Sequence, residues 1–314
     1  MIGEDVVKAS EILRKGELVA IPTETVYGLA ANALDPSAVA KIYEAKERPS
    51  FNPLIVHVAS IKEAKKYVTE FPKIAEQIAE AFWPGSISLL LPKNSIIPDL
   101  TTAGLPNVVI RVPNHPLTLE LLNRLDFPLA APSANISNTV SPTTAKHVQL
   151  GLGNKLEYIL DGGKSTIGLE STILALEQEN LVILREGGVS REDILAKTGI
   201  RISSSSSENN QSPGNFKKHY STSKPLYIVQ DINRYIHRNP SGRYSALLFE
   251  EKSVLCTSYL LSKSYSMAEI ANNLFDFMRR ADIDSSDYIL IEPIKEIGIG
   301  RAIADRIARA ASEI

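Results

Sequence analysis

Pro22-Thr23-Glu24-Thr25-Val26-Tyr27-Gly28-Leu29 follows the apolar run Leu18-Val19-Ala20-Ile21, and Lys46-Glu47-Arg48-Pro49 comes next in the chain. The run Leu18–Ile21 reads as a buried strand stopped by proline. Strand ends in α/β folds are where a rigid scaffold presents side chains to a ligand. The hydroxyls of Thr23 and Thr25 at such an end suit a small polar ligand, and Gly28 lets the backbone turn or approach closely. Lys46 and Arg48 would offer two cations on one strand-like or loop face, fixed by Pro49. That combination suits a triphosphate.

Outward from this stretch, the chain alternates helical and strand patterns. Val6, Val7, Ile12 and Leu13 recur at helical spacing, and Gly16 ends that helix. Asp35-Pro36 caps a helix that runs from Ser37 to Glu44 and into the Lys46 loop. Strands are expected at Leu54–Val58, Ile87–Leu91, Val108–Val112, Leu129–Ala131, Tyr158–Leu160, Thr172–Leu176 and Leu181–Leu184. Helices are expected at Ile74–Phe82, Leu117–Leu125 and Arg191–Lys197. Strands outnumber the helices that could cross between them, so the sheet should be twisted and mixed. A serine tract, Ser203–Ser207, followed by Glu208-Asn209-Asn210, reads as a flexible linker. Beyond it, strands at Leu226–Val229, Ser245–Phe249 and Tyr288–Ile291 and helices at Met267–Arg280 and Arg301–Ala311 form a small unit. The expected architecture is therefore α/β: a large domain at 1–200 with flanking helices, a linker at 201–224, and a small, Rossmann-like α/β domain at 225–314.

At 314 residues and 44% hydrophobic content the chain can bury one large core or two, and two are expected. Its formal net charge of -2 gives no global field favouring a polyanion. The single cysteine, Cys256, precludes an internal disulfide or a Cys-rich zinc site, and its place in Val254-Leu255-Cys256 suggests a buried, inert thiol. The acidic N-terminus and the lack of any apolar run near the ~20 residues of a membrane span point to a cytoplasmic protein.

Several catalytic templates fail. Gly163-Lys164-Ser165 has the tail of a P-loop, but Tyr158 stands where its first glycine belongs. Gly298-Ile299-Gly300 lacks the third glycine of a dinucleotide fingerprint, because Ile303 occupies it. Ser133 lacks the flanking glycines of a nucleophile elbow. The histidines show no metal-ligand spacing, so no protein metal site is expected. What remains is a set of hydroxyls, amides and cations without a nucleophile. Group transfer at phosphorus can run on such a set, since positioning and electrostatics supply most of the catalysis. Arg111, on an apolar strand, must meet a carboxylate, either a ligand's or a structural Asp or Glu.

The two opening stretches, with Asn52-Pro53-Leu54, Trp83-Pro84-Gly85, Val109-Ile110-Arg111, Pro132-Ser133-Ala134-Asn135, Ser141-Pro142-Thr143, Gly168-Leu169-Glu170-Ser171-Thr172 and Leu184-Arg185-Glu186-Gly187, form an ordered series. It resembles the YrdC-like family of threonylcarbamoyl-adenylate synthases. The linker Ser212-Pro213-Gly214 through His219-Tyr220 and the small last domain resemble its longer, two-domain members. Ser86-Ile87-Ser88 departs from the family wording, which usually has another proline and a threonine there, and Asn215–Lys218 varies the usual linker.

The resemblance implies an ATP-dependent nucleotidyltransferase. L-Threonine, bicarbonate and ATP would give threonylcarbamoyl-AMP and pyrophosphate for tRNA threonylcarbamoyladenosine modification, with Mg2+ arriving bound to ATP. Lys46 and Arg48 would be catalytic. Thr25, His57, Arg111, Ala131 (through its backbone) and Ser171 would bind threonine. Arg48, Asn52, Asn107, Ser133, Ser141, Arg185 and Tyr220 would bind ATP, with Tyr220 closing over the adenylate as the linker folds back. A downstream transferase complex acting on tRNA would take the product. The rival reading, an RNA-binding module without synthase activity, is opposed by the near-neutral charge and the lack of interleaved basic and aromatic residues, so no strong direct nucleic-acid binding is expected.

Overall fold

A computed structural model describes residues 1–177, 180–203 and 219–313. Its strands are β1 Ile2–Gly3, β2 Val19–Ile21, β3 Gly28–Asn32, β4 Ile55–His57, β5 Ile87–Pro92, β6 Asn107–Arg111, β7 Leu129–Ala130, β8 Tyr158–Leu160, β9 Thr172–Glu177 and β10 Asn180–Arg185. These join in one 10-stranded sheet, in the order β1-β8-β2-β3-β7-β4-β6-β5-β9-β10. Parallel pairs (β4 with β6, β5 with β9) sit beside antiparallel ones (β2 with β3, β5 with β6), so the sheet is mixed, as expected. The hairpin partner β3 was not anticipated, because Gly28-Leu29-Ala30-Ala31 lacks the branched residues that mark strands.

Helices cover both faces. Helices Val6–Arg14 and Pro116–Arg124 pack on the β8-β2-β3-β7 half of one face. Helices Pro36–Lys46, Lys73–Phe82 and Ala145–Leu152 bury the other. On the first face, β4, β6 and β9 carry only a small apolar cluster, Ile55, Val109 and Ile173. The chemistry-bearing residues gather just beyond it.

The second sheet comprises β11 Leu226–Ile228, β12 Tyr244–Leu248, β13 Thr257–Leu260 and β14 Tyr288–Ile291, all parallel in the order β11-β14-β12-β13. Helices Met267–Ile283 and Gly300–Ala310 bury one side, and helix Ile232–Arg238 lies on the other. A parallel sheet between two helical layers is the expected doubly wound arrangement. Its core does not stop at the domain edge. Val26, Val140, Leu169 and Tyr220 share a cluster with Leu274, Phe275 and Ile303.

Two expectations are corrected here. Lys46 is on no strand or loop face: it closes the last turn of helix Pro36–Lys46, and Glu47 (φ 52) turns the chain left-handed before Arg48. Cys256 is half-buried, since it immediately precedes β13, which is at the sheet edge. Among the described residues no helix is long and apolar enough to cross a membrane. The central part of the expected linker, 204–218, including Ser212-Pro213-Gly214, lies outside the described residues.

Candidate functional site

The loop between β2 and β3 is shaped by its own threonines. Thr23 Oγ1 donates to the Val26 carbonyl at 2.6 Å and accepts from the Val26 and Thr25 amides, a hydroxyl-bonded turn. The Thr23 and Thr25 hydroxyls lie 2.8 Å apart. Outside contacts fix the loop, because Tyr27 N–H donates to the Pro142 carbonyl and Ile167 N–H to the Glu24 carbonyl.

His57 and Arg111 are register partners on the parallel strands β4 and β6, so their side chains stand on one face at the carboxyl ends of those strands. Arg111 is buried. Its Nη1 donates to Thr25 Oγ1 at 2.9 Å, its Nε to the Gly85 carbonyl at 3.0 Å, and Nη2 lies 2.6 Å from Glu24 Oε1. That last approach is a charge contact rather than an aligned hydrogen bond. Of the two carboxylate partners left open by the sequence, a structural one is therefore present, and it is Glu24. Burial, with the Arg111 charge beside it, pushes the His57 imidazole down to about 3, so it is neutral at physiological pH. Ala131 stands across from Ile55 and gives its N–H to the Ile55 carbonyl at 2.9 Å.

The opposite wall is cationic. A β-bulge on β10 sets Arg185 opposite Ile173, and so on the face that carries His57 and Arg111. Arg185 Nη2 donates to the Ser171 carbonyl (2.9 Å) and to Ser171 Oγ (3.1 Å). The Ser171 hydroxyl also meets Ser88 Oγ at 2.8 Å, so the hydroxyl at position 88 is engaged even though the residue departs from the family's threonine. Gly187 permits this junction: a Cβ there would come 2.4 Å from the Glu170 carbonyl oxygen and from Thr172 N. Arg48 donates Nε to the Asn52 carbonyl (3.1 Å) and Nη2 to the Pro53 carbonyl (2.9 Å). Among the described residues it has no carboxylate partner. Burial lowers its guanidinium to about 10, and burial does the same to Arg185. Both remain charged.

The roof comes from the end of the linker nearer the second domain. Tyr220, left-handed at φ 63, is buried, stacks on Phe275 (centroids 5.3 Å apart, planes at 23°) and touches the His219 ring (4.2 Å). Both residues line the cavity that contains Thr25, His57, Arg111, Ala131, Ser133, Ser171, Arg48 and Arg185.

Not every predicted site residue joins this cavity. Lys46 is buried behind it, donating Nζ to the carbonyls of Ser133 and Asn135, and burial holds its ammonium well below the usual lysine range. Asn52 acts through the carbonyl that holds Arg48. Ser141 gives its hydroxyl to Glu170 Oε1 at 2.7 Å and stands behind that carboxylate. Asn107 begins β6, at the end opposite Arg111, and lines a separate surface depression with Pro92 and Glu177. At ~3.3 Å per residue this is roughly 13 Å from Arg111. A turn-like Pro106-Asn107 reads identically at either end of a strand, and strand direction decides.

The sequence reading missed Glu24, Glu170, His219 and Arg306. Glu170 is buried against Arg306 Nε at 2.9 Å. Its burial raises the carboxyl pKa, but the Arg306 and Arg185 charges and the Ser141 hydroxyl outweigh that and bring it down to about 2. Arg306 had a legible signal. It interrupts the apolar stripe Ala302, Ile303, Ile307, Ala310 of its helix, where only a paired arginine can sit.

A family model described as "Telomere recombination" (Sua5, YciO, YrdC) matches residues 11–187, and one described as "Threonylcarbamoyl-AMP synthase, C-terminal domain" matches 184–312. The threonylcarbamoyl-AMP synthase of Pyrococcus abyssi is 40% identical, with 96% of this chain and 92% of the relative covered. That of Bacillus subtilis is 41% identical over 98% and 92%. The crystal structure of P. abyssi Sua5 complexed with L-threonine superimposes with a TM-score of 0.91, at 37% identity, covering 99% of this chain and 97% of that one. The chain belongs to the Sua5/YciO/YrdC family, in the form that carries the threonylcarbamoyl-AMP synthase C-terminal domain.

Proposed function

We propose that this chain is an L-threonylcarbamoyladenylate synthase, which joins L-threonine, bicarbonate and ATP into threonylcarbamoyl-AMP with release of pyrophosphate. The observation that carries the reading is the pairing, in one cavity, of a polar end (Thr25, His57, Arg111) with the cation Arg48, whose hydrogen-bond partners among the described residues are backbone carbonyls. The full-length similarity to synthases and to a threonine-bound structure supports the same reading.

The threonine amine attacks the carbon of bicarbonate, water leaves, and the carbamate oxygen then attacks the α-phosphorus as the bond to pyrophosphate breaks. The substrate is its own nucleophile, so the protein's work is positioning and charge. Neutral His57 adds no charge beside the amine. Thr25, held by Arg111, and Ser171, held by Arg185, present hydroxyls in fixed directions. Arg48 and Arg185 meet phosphate oxygens, with the Ser133 turn beside them, and Tyr220 closes over the nucleotide. Lys46, with its ammonium given to two carbonyls, shapes the 133–135 turn instead of touching phosphate. Magnesium belongs to this reading as a part of the nucleotide substrate, neutralising phosphate charge. The product, a mixed anhydride, is consumed by a transferase that acts on tRNA, in the cytoplasm.

The test is incubation with ATP, magnesium, bicarbonate and isotopically labelled threonine. Labelled threonylcarbamoyl-AMP and stoichiometric pyrophosphate are expected, and only when threonine and bicarbonate are both present. Orthophosphate released without threonine as the main product would overturn the reading in favour of an ATPase.

A further inference from the structure

Glu170 presents a problem to any anion-binding site. It lines the same cavity as Arg48 and Arg185, and its carboxylate is ionised. Left alone, it would oppose phosphates and draw Arg185 toward itself. Among the described residues, its one ion-pair partner comes from the other domain. Arg306, on helix Gly300–Ala310, is fully buried and reaches across with Nε on Glu170 Oε2 at 2.9 Å and Nη2 on the Glu186 carbonyl at 2.8 Å. Its Nη1 meets Asp305 at 2.6 Å, and its guanidinium lies 5.3 Å from the centre of the Tyr220 ring. Asp305 is also held by Arg309 at 2.7 Å, so it does not depend on Arg306 for a counter-charge. Glu170 does. Glu24, the carboxylate paired with the cavity-lining Arg111, is compensated within the N-terminal domain by that arginine.

We propose that Arg306 is a positioning residue for the nucleotide: by neutralising Glu170 from the C-terminal domain, it keeps the phosphate wall of the cavity positive, so that docking of that domain favours nucleotide binding. This rests on the synthase reading, in which the Arg48 and Arg185 wall takes ATP. The coupling is reciprocal by linkage, so ATP binding favours the docked domain in turn. Threonine, at the Thr25–His57 end beside the self-compensated Arg111–Glu24 pair, is affected little.

The test measures dissociation constants for Mg-ATP alone and for threonine alone, by calorimetry on the full chain. Arg306→Gln should weaken ATP by about ten-fold or more, the scale of one lost charge interaction, and leave threonine within about three-fold. Adding Glu170→Gln should restore ATP to within about three-fold, because the charge that Arg306 cancels is then gone. Arg306→Lys, which keeps charge but loses the fork, should fall nearer the unaltered chain than Arg306→Gln does. Unchanged ATP affinity in Arg306→Gln overturns the proposal, as does a double variant as weak as the single one, since a packing role is not rescued by removing Glu170. If Arg306→Gln does not fold, seen as lost threonine binding, the double variant decides by the same criterion. An unaltered chain that binds threonine but no ATP would overturn the synthase reading and the proposal together, whereas ATP binding with unresponsive variants overturns the proposal alone.

Discussion

Arg48, half-buried, and Arg111, buried, are cations in one cavity, yet their partners set them apart. Arg48 is held by two carbonyls of its own loop, so Arg48→Ala should leave stability nearly unchanged and cost ~1.5–3 kcal/mol, or roughly ten- to a hundred-fold, in ATP affinity. Arg111→Ala strands the buried Glu24 carboxylate and should cost ~3–5 kcal/mol of stability in urea unfolding. Glu24→Gln in the same chain should return part of it. Equal destabilisation by both substitutions would mean that Glu24 is not the partner that matters. Buried histidines set the acid limit. His57 and His219 both fall to about 3, from an ordinary 6.5, because burial disfavours the charged ring. A depressed folded pKa means that the unfolded chain binds the extra protons, so this stability is complete above about pH 6.5 and is lost as pH falls toward 3. Two such groups give a slope of up to ~2.7 kcal/mol per pH unit between roughly pH 6 and 4, twice the 1.36 kcal/mol of one. Urea unfolding at pH 7, 6 and 5 measures it, and a flat profile would show that the rings are charged or hydrated in the folded state. That Arg111 needs a carboxylate is legible from an arginine among Val109, Ile110 and Val112. Which carboxylate is not, because hydrophobic pattern reports burial and says nothing of the partner across the fold.

At the scale of elements, the site depends on how closely β10's outgoing loop lies against the residues before β9. Gly187 is that contact. A methyl there would meet backbone, which cannot rotate away, so Gly187→Ala must push Ser171 and Arg185 apart. We expect a loss of ~1–3 kcal/mol in stability, typical of overpacking, with threonylcarbamoyl-AMP formation reduced further. Gly163 is the control. It is left-handed at φ 77 with open space around its Cβ direction, so alanine there costs only the ~1–2 kcal/mol of that backbone region and should spare activity. Comparable activity of the two variants at matched folded fraction would remove the junction from the argument. Long periodic elements were legible: Asp35-Pro36 caps its helix as read, β4 and β8 fall within the expected runs, and β6 and β9 match theirs to within one residue. Among what escaped were β3, whose small residues are strand-forming only because β2 and β7 flank them, the short elements Ala145–Leu152, Ile232–Arg238 and β13, and the position of Asn107, whose turn chemistry carries no direction. Lys46 escaped too. A lysine before Arg48 reads as a second phosphate cation, and only the fold brings the carbonyls of Ser133 and Asn135 to its ammonium.

For the whole molecule, the polar serine tract suggests two independent domains, but the packing argues for one cooperative unit. Val26 of the β2–β3 loop, Val140 and Leu169 are buried against Leu274, Phe275 and Ile303. Gly168, left-handed at φ 80, brings its backbone so near helix Met267–Ile283 that a Cβ would lie 2.6 Å from the Asn272 Cα. Polar contacts follow the same seam: Asn272 Nδ2 donates to the Ser165 carbonyl at 2.6 Å, and Asp276 lies between His147 (3.2 Å) and Arg280 (2.7 Å). Separating the domains would expose this cluster and strand the Glu170–Arg306 pair, a larger cost than a tethered pair of domains would show. The full chain should therefore unfold in a single calorimetric transition, with calorimetric and van't Hoff enthalpies in agreement. Phe275→Ala probes the same unity from the C-terminal side. The ring is fully buried and stacked on Tyr220, so its loss should cost ~3–5 kcal/mol and lower the midpoint of that one transition. Because Tyr220 roofs the cavity, the same variant should also weaken nucleotide binding more than threonine binding. Two resolved transitions, with only the later one insensitive to Phe275→Ala, would establish two bodies joined by a passive tether and make the C-terminal domain dispensable to the cavity.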